Sequence, residues 1–184
     1  SDLITVEDAN DIAATLASGQ ATPYTVRVEG FVSLFDADSK TRAINITNRA
    51  ETESIMVFIG ASGYADFIDG LYLGACIRVT ANIQNYSGTF ELTNPVKEFT
   101  EYVAMSFAYE FLSQTDAICS EYDGVSNNKE ALEAIWSGLE TKYDSLTTVQ
   151  QNTLLNPDTY GAGSTVKDAM ERYDYLTGKY ELDN

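Results

Sequence analysis

The sequence predicts an α+β protein with its strands in the first half and its helices in the second. Three observations predict this. Apolar residues alternate one by one along short runs before Thr100, they recur at spacings of three and four from Met105 onward, and the two periods change over in one place. The expected domains are residues 1–103 and 104–184.

The chain opens with Thr5-Val-Glu-Asp-Ala-Asn-Asp-Ile-Ala-Ala-Thr-Leu, a short helix with Thr5 as N-cap, acidic residues in its first turn and Gly19 as its stop. After Pro23 the period becomes two: Tyr24, Val26, Val28, Gly30 and Val32 share one side, and Thr25, Arg27 and Glu29 the other. That is a half-buried strand, because successive side chains point to opposite faces of a sheet. Four more strands are expected at Thr41–Asn48, Ser54–Ile59, Ala75–Asn85 and Thr89–Leu92, with turn-like stretches at Phe35–Lys40 and Asn85–Gly88. Between the third and fourth strands lies Tyr64-Ala-Asp-Phe-Ile-Asp-Gly-Leu, long enough for a helical turn or two and closed by Gly70.

In the second half, Phe107, Ala108, Phe111, Leu112, Thr115, Ile118, Cys119 and Tyr122 form the stripe of an amphipathic helix. A second helix follows the loop at Asp123–Asn128, where Asn127 and Glu130 have capping-box spacing and Leu132, Ile135, Trp136, Leu139 and Tyr143 make the stripe. A third starts at Thr147 with Gln150 in the reciprocal position, includes Val149, Leu154 and Leu155, and ends at Pro157. The last, after Gly161 and Gly163, uses Val166, Ala169, Met170, Tyr173, Leu176 and Tyr180. Each helix must bury its one stripe on another, so a small four-helix bundle is expected, with Trp136 and Phe111 inside it.

Five strands with a small helix between the third and fourth is the arrangement of the OB-type barrel, a five-stranded Greek key. The segments Tyr24-Thr-Val-Arg-Val-Glu-Gly-Phe-Val, Ala43-Ile-Asn-Ile-Thr-Asn and Leu73-Gly-Ala-Cys-Ile-Arg-Val-Thr-Ala-Asn-Ile-Gln-Asn-Tyr-Ser-Gly-Thr-Phe-Glu-Leu resemble the OB-fold domains of exported bacterial proteins, including some beside extracellular nucleases. Such domains often carry Asp and Lys after the glycine where this chain has Ala75 and Cys76, so the resemblance implies a fold and not a ligand. Phe111-Leu112, Cys119, Leu132 to Trp136 and Arg172-Tyr-Asp-Tyr-Leu-Thr-Gly-Lys-Tyr are similar to a C-terminal helical module of secreted proteins from Firmicutes-type bacteria. This second resemblance implies export and an extracellular or cell-surface location. Opening at Ser1-Asp2-Leu3 without Met suits either a processed product or an artificially trimmed chain.

Charge narrows the partners. Eleven Lys+Arg against 28 Asp+Glu give a formal net charge of -17, and both halves share it, with six basic and fourteen acidic residues up to Ala104 and five and fourteen after it. Nucleic-acid affinity comes largely from cations that displace counterions from phosphates, so this balance opposes a polyanion, and an anionic membrane surface equally. The longest apolar run is far short of the ~20 residues a membrane helix needs, so no span is expected.

Catalytic chemistry finds little to work with. Histidine is absent, so acid–base catalysis would need paired carboxylates, and the acidic residues are scattered; no enzyme, no cofactor and no metal site is expected. Asp36-Ala-Asp38-Ser39 and Asp123-Gly-Val-Ser-Asn-Asn could offer oxygens to Ca²⁺, but turn and cap chemistry already accounts for them and the glycine and distal Glu of an EF-hand are missing. Cys119 falls on an apolar stripe, where a thiol acts as a small hydrophobe. Cys76 alternates with Ile77 and is expected on the outward face with Arg78 and Thr80; a Cys76–Cys119 bridge would need the two halves to dock there.

OB barrels bind ligands across the second and third strands, framed by the loops joining the first to the second and the fourth to the fifth. With Val26, Val28, Ile44, Ile46, Ile55 and Val57 inward, the outward candidates are Arg27, Asn45, Thr47, Met56 and Phe58, with Tyr86 on a framing loop. Phe58 and Tyr86 can stack on a base or a sugar ring, and Arg27 and Asn45 can hydrogen-bond. Against this, aromatic residues are common on strand faces, and Phe58 could simply cover a helix. The expected function is a non-catalytic binding or structural module of an exported bacterial surface protein, its ligand a protein or a carbohydrate. Single-stranded nucleic-acid binding is the alternative that the OB resemblance favours and the charge opposes. A subunit of an extracellular assembly, a homo-oligomer formed by strand addition with the N-terminal segment as donor, is another, and an accessory domain of an enzyme a further one.

Overall fold

Thr5 Oγ1 accepts the N–H of Asp8 at 3.1 Å while Asp8 Oδ2 accepts the N–H of Thr5 at 3.2 Å, a reciprocal pair that caps the first helix, α1 (Val6–Ala14). The computed structural model describes residues 2–36, 40, 42–120 and 127–182. Before α1 comes β1 (Leu3–Ile4); after it come β2 (Val26–Phe35), β3 (Ala43–Thr47), β4 (Ser54–Phe58), α2 (Tyr64–Ile68), β5 (Cys76–Tyr86) and β6 (Thr89–Glu101). Four helices follow, α3 (Ala104–Ser120), α4 (Asn127–Asp144), α5 (Thr148–Leu155) and α6 (Ser164–Tyr180). The fold is mixed α+β, and it divides into two compact units, Ser1–Glu101 and Tyr102–Asn184.

In the first unit the six strands form one sheet. β2 pairs antiparallel with β3, β3 antiparallel with β4, β4 parallel with β6, β6 antiparallel with β5, and β5 antiparallel with β2 again, so the ladder returns to the strand it left. β1 runs parallel to β2, with Leu3 opposite Arg27 and Ile4 opposite Val28, so the segment expected as a strand donor pairs within its own chain. The inward residues Val26, Val28, Ile44, Ile46, Ile55 and Val57 are all buried, and Val6, Ala9 and Ala13 of α1 join them in one core. Gly30 makes that closure possible: a Cβ there would lie 3.0 and 3.1 Å from Ile46 side-chain atoms and 3.1 Å from Val6.

The last strand is longer than its pattern suggests. Asn94-Pro95 reads as a break after Leu92, because proline cannot donate to a ladder and Asn favours turns. The sheet instead absorbs the pair as a bulge: Asn82 faces Thr93 and Thr80 faces Val96, so Asn94 and Pro95 stand against Ala81 alone, with Asn94 at φ 51°. A second irregularity leaves Glu98 between Lys97 and Phe99, opposite Val79 and Arg78, and Glu98 meets Arg27 at 2.9 Å. The continued strand also secures α2, since Lys97 Nζ donates to the carbonyls of Phe67 and Asp69 at 2.8 and 3.3 Å.

Cys76 corrects another expectation. It has the outward parity of Arg78 and Thr80 but is only 6 % exposed, flanked in register by Phe31 and Glu101. Its thiol is free. The partner suggested for it, Cys119, has a side chain outside the described residues, as do Asp38, Ser39 and the loop and cap at 121–128.

In the second unit α3 packs against α4, α5 and α6. Phe111 and Trp136 are buried in an aromatic cluster, ring centroids 5.8 Å apart and edge-on. Arg172 of α6 ties the helices together, donating to Leu112 O at 3.1 Å, Thr115 Oγ1 at 3.0 Å and Asp116 Oδ1 at 2.6 Å. The stripe expected on α5 is narrower in fact: Leu154 and Thr153 are buried, whereas Val149 and Leu155 are exposed, because a helix of eight residues turns one edge only to its neighbours. Gln150 does not reciprocate at Thr147 but reaches α3, its Oε1 accepting the N–H of Ala104 at 2.8 Å. Among the described residues no helix is long and apolar enough to cross a membrane.

Candidate functional site

Three adjacent strands fix the face on which the site lies. Val57 of β4, Leu92 of β6 and Ile83 of β5 stand in register and are buried, so the period of two sends the residues on either side outward. Two rows result: Met56, Glu91 and Gln84, and beside it Phe58, Thr93 and Asn82. Over these rows runs a groove of about 820 Å³, with Phe58 at one side, Tyr86 at the other and Glu91 among its lining residues.

The walls are held by local chemistry. Tyr86 and Thr89 pair across a two-residue hairpin whose central residues, Ser87 and Gly88, both have positive φ (51° and 92°), the geometry that follows the twist of a tight hairpin. Asn85 locks it, accepting the N–H of Gly88 at 2.8 Å and donating to Leu16 O at 2.9 Å. On the far edge Ala21 bridges to Gln84, Thr22 Oγ1 accepts the N–H of Ile83 at 3.0 Å, and Asn82 Nδ2 donates to Thr22 O and Tyr24 O at 3.1 and 3.0 Å.

The groove is polar at its floor and aromatic at its rim. Phe58 is 41 % exposed and Tyr86 60 %, so their rings are open to a ligand. Glu91 is 6 % exposed, and burial pushes its carboxyl above the ordinary value. Among the described residues Glu91 has neither an ion pair nor a hydrogen bond, and the side chains of Gln84, Thr93 and Asn94 beside it are likewise without partners. Among the described residues no Lys or Arg lines the groove. Such a set offers hydrogen-bond donors and acceptors to a hydroxyl-rich ligand and stacking surfaces to a ring.

Of the six residues singled out from the sequence, the groove brings together Phe58 and Tyr86. Met56 stands beside Glu91 in register, and Asn45 lies one strand further out, opposite Met56. Thr47 is buried and its hydroxyl donates to Glu53 O at 2.9 Å, within the connection from β3 to β4, so it faces no ligand. Arg27 belongs elsewhere, paired with Glu98 at 2.9 Å, where its guanidinium holds the Glu98 carboxyl below the ordinary range. Asn82, Gln84 and Glu91 are the residues that reading missed. Their signal is the same alternation, with Asn82 and Gln84 flanking buried Ile83, but on β5 and β6 rather than on β3 and β4.

Among the described residues no group of three or more acidic or thiol side chains is placed to hold a metal ion. No protein-family model matches the chain, and no curated protein matches it.

Proposed function

We propose that the chain is a non-catalytic binding module whose first unit takes a carbohydrate in the groove between Phe58 and Tyr86. The observation that carries this reading is a partly desolvated carboxylate, Glu91, which opens on the groove without an ion pair or hydrogen bond among the described residues, beside the unpaired side chains of Gln84, Thr93 and Asn94 and between two exposed aromatic rings. A sugar presents an apolar C–H face to a ring and hydroxyl donors at its edge, and a hydroxyl on a carboxylate makes a charge-assisted hydrogen bond.

We read the sheet as an OB-type barrel and the four C-terminal helices as a bundle. The ladder order β2, β3, β4, β6, β5 and back to β2, with α2 between β4 and β5, supports the first, and the packing of α3 on α4, α5 and α6 the second. Export to the cell surface rests on the resemblances.

A polynucleotide is the competing ligand, since the same rings would stack on bases. It fits poorly, because phosphates bring acceptors to a groove that, among the described residues, is lined by a carboxylate and no cation, and three of the unit's six cations, Arg27, Arg78 and Lys97, are engaged with Glu98, Glu29 and the carbonyls of Phe67 and Asp69. A glycan array probed with the full chain tests the assignment, alongside fluorescence anisotropy with a labelled single-stranded oligonucleotide. Binding to a set of glycans that is lost in Phe58→Ala and in Tyr86→Ala is expected. A micromolar oligonucleotide complex that weakens steeply with salt would hand the groove to nucleic acid instead.

A further inference from the structure

The helical unit holds a cavity of its own, of about 360 Å³, and we propose that it binds an organic ammonium ion, a cation clothed in methyl or methylene groups. Its walls are aromatic. Trp136 of α4 and Tyr173 of α6 stack with centroids 5.5 Å apart and planes 17° apart, and Phe111 of α3 sets its ring against both, at 5.8 and 6.0 Å. Tyr143 adds a further ring, edge-on to Phe107 at 5.7 Å. Aromatic faces carry negative potential and attract a cation within about 6 Å of the centroid, most strongly where water is excluded.

Charge at the lining points the same way. Glu140 and Asp144 both line the cavity and stand one turn apart on α4, where like charges repel. Neither has an ion-pair partner among the described residues. The five cations of this unit are engaged elsewhere: Lys129 with Glu133, Lys142 with Glu110, Lys167 with Asp158, Arg172 with Asp116, and Lys179 with the Tyr175 hydroxyl. The two carboxylates are felt inside, since after burial itself the charge of Glu140 raises the Tyr173 phenol and that of Asp144 the Tyr143 phenol. A bare metal ion would find too few oxygens there, whereas Met170 and Leu139 suit methyl groups. The volume lies at the small end of the ~300–1,000 Å³ that ligand pockets span, which fits a compact head group. This site is independent of the groove in the first unit.

Trp136 is the one tryptophan of the chain, so its emission reports on the cavity directly. The full chain is titrated with choline chloride and with its uncharged carbon isostere, 3,3-dimethylbutan-1-ol, at constant ionic strength. Choline is expected to give a saturable change at a concentration at least about tenfold below the isostere, and Glu140→Gln with Asp144→Asn to weaken choline by about tenfold while leaving the isostere and the helical circular dichroism unchanged. Competition against bound choline by a trimethyllysine peptide, or by phosphatidylcholine vesicles, identifies a protein or a lipid as the source of the head group, and competition by neither identifies a free small molecule. Equal binding of choline and the isostere, or no saturable response to choline up to about 100 mM, would overturn the proposal.

Discussion

The side-chain carbonyl of Gln150 accepts the backbone N–H of Ala104 at 2.8 Å, so that a residue of α5 caps the first turn of α3. Helix starts leave N–H groups without partners, and α3 obtains one of its acceptors from another helix rather than from its own sequence. Gln150→Ala is expected to destabilise the helical unit by about 0.5–2 kcal/mol, the usual range for losing a cap. Urea unfolding followed by Trp136 emission measures it, and an unchanged midpoint would show that water replaces Gln150 without loss.

Gly30 lies where α1 and β3 close on β2. Alanine there would press on Ile46 and on Val6 at once, two elements that cannot both retreat. Gly30→Ala should therefore destabilise the first unit by about 1–3 kcal/mol, as overpacking does. Thermal unfolding by circular dichroism checks this.

These two contacts mark what the sequence made legible and what it did not. Alternation from Val26 to Val32 and the three-and-four spacing from Phe107 to Thr115 place strands and helices, because a period reports which side of an element is buried. Contacts between elements leave no period. The role of Gln150 belongs to α3, forty-six residues away in sequence from the atom that uses it. The extension of β6 past Pro95 depends on a bulge set by its partner strand, and Cys76 is buried by the residues beside it in the sheet, although its parity points outward. At the groove, Phe58 and Tyr86 stand out as exposed rings, whereas Glu91 looks like any solvated acid until Gln84 and Met56 are seen in register with it.

Cys76 is chemically quiet. Burial above all, then the charges of Glu29 and Glu101, push its thiol up from 9.0 to about 12, with Arg78 and Arg49 acting the other way. In a Cys119→Ser background, Cys76 should react with a thiol reagent at pH 8 no faster than the chain unfolds. Because the folded value is raised, the neutral thiol supports the fold below pH 9.0, and that support is lost as pH rises towards 12. Cys76→Ala should therefore flatten the alkaline fall in stability.

Glu91 is expected to burden the fold and serve the ligand. Its carboxyl is raised above 4.5 by burial, so the folded chain holds that proton more tightly than the unfolded one, and the stability present below pH 4.5 is lost as pH rises through the raised value. Glu91→Gln should raise the melting temperature at pH 7, by an amount that shrinks on acidification, while weakening glycan binding. A gain in stability with full binding retained would separate Glu91 from the ligand.

The groove itself is tested most directly by backbone amide NMR shifts of the full chain during titration with a panel of soluble oligosaccharides. The expected result is saturable shifts confined to Phe58, to Asn82 through Tyr86 and to Glu91 through Asn94, abolished in Tyr86→Ala. Shifts centred outside those strands, or none with any oligosaccharide in the panel, would contradict the assignment of this groove to a carbohydrate.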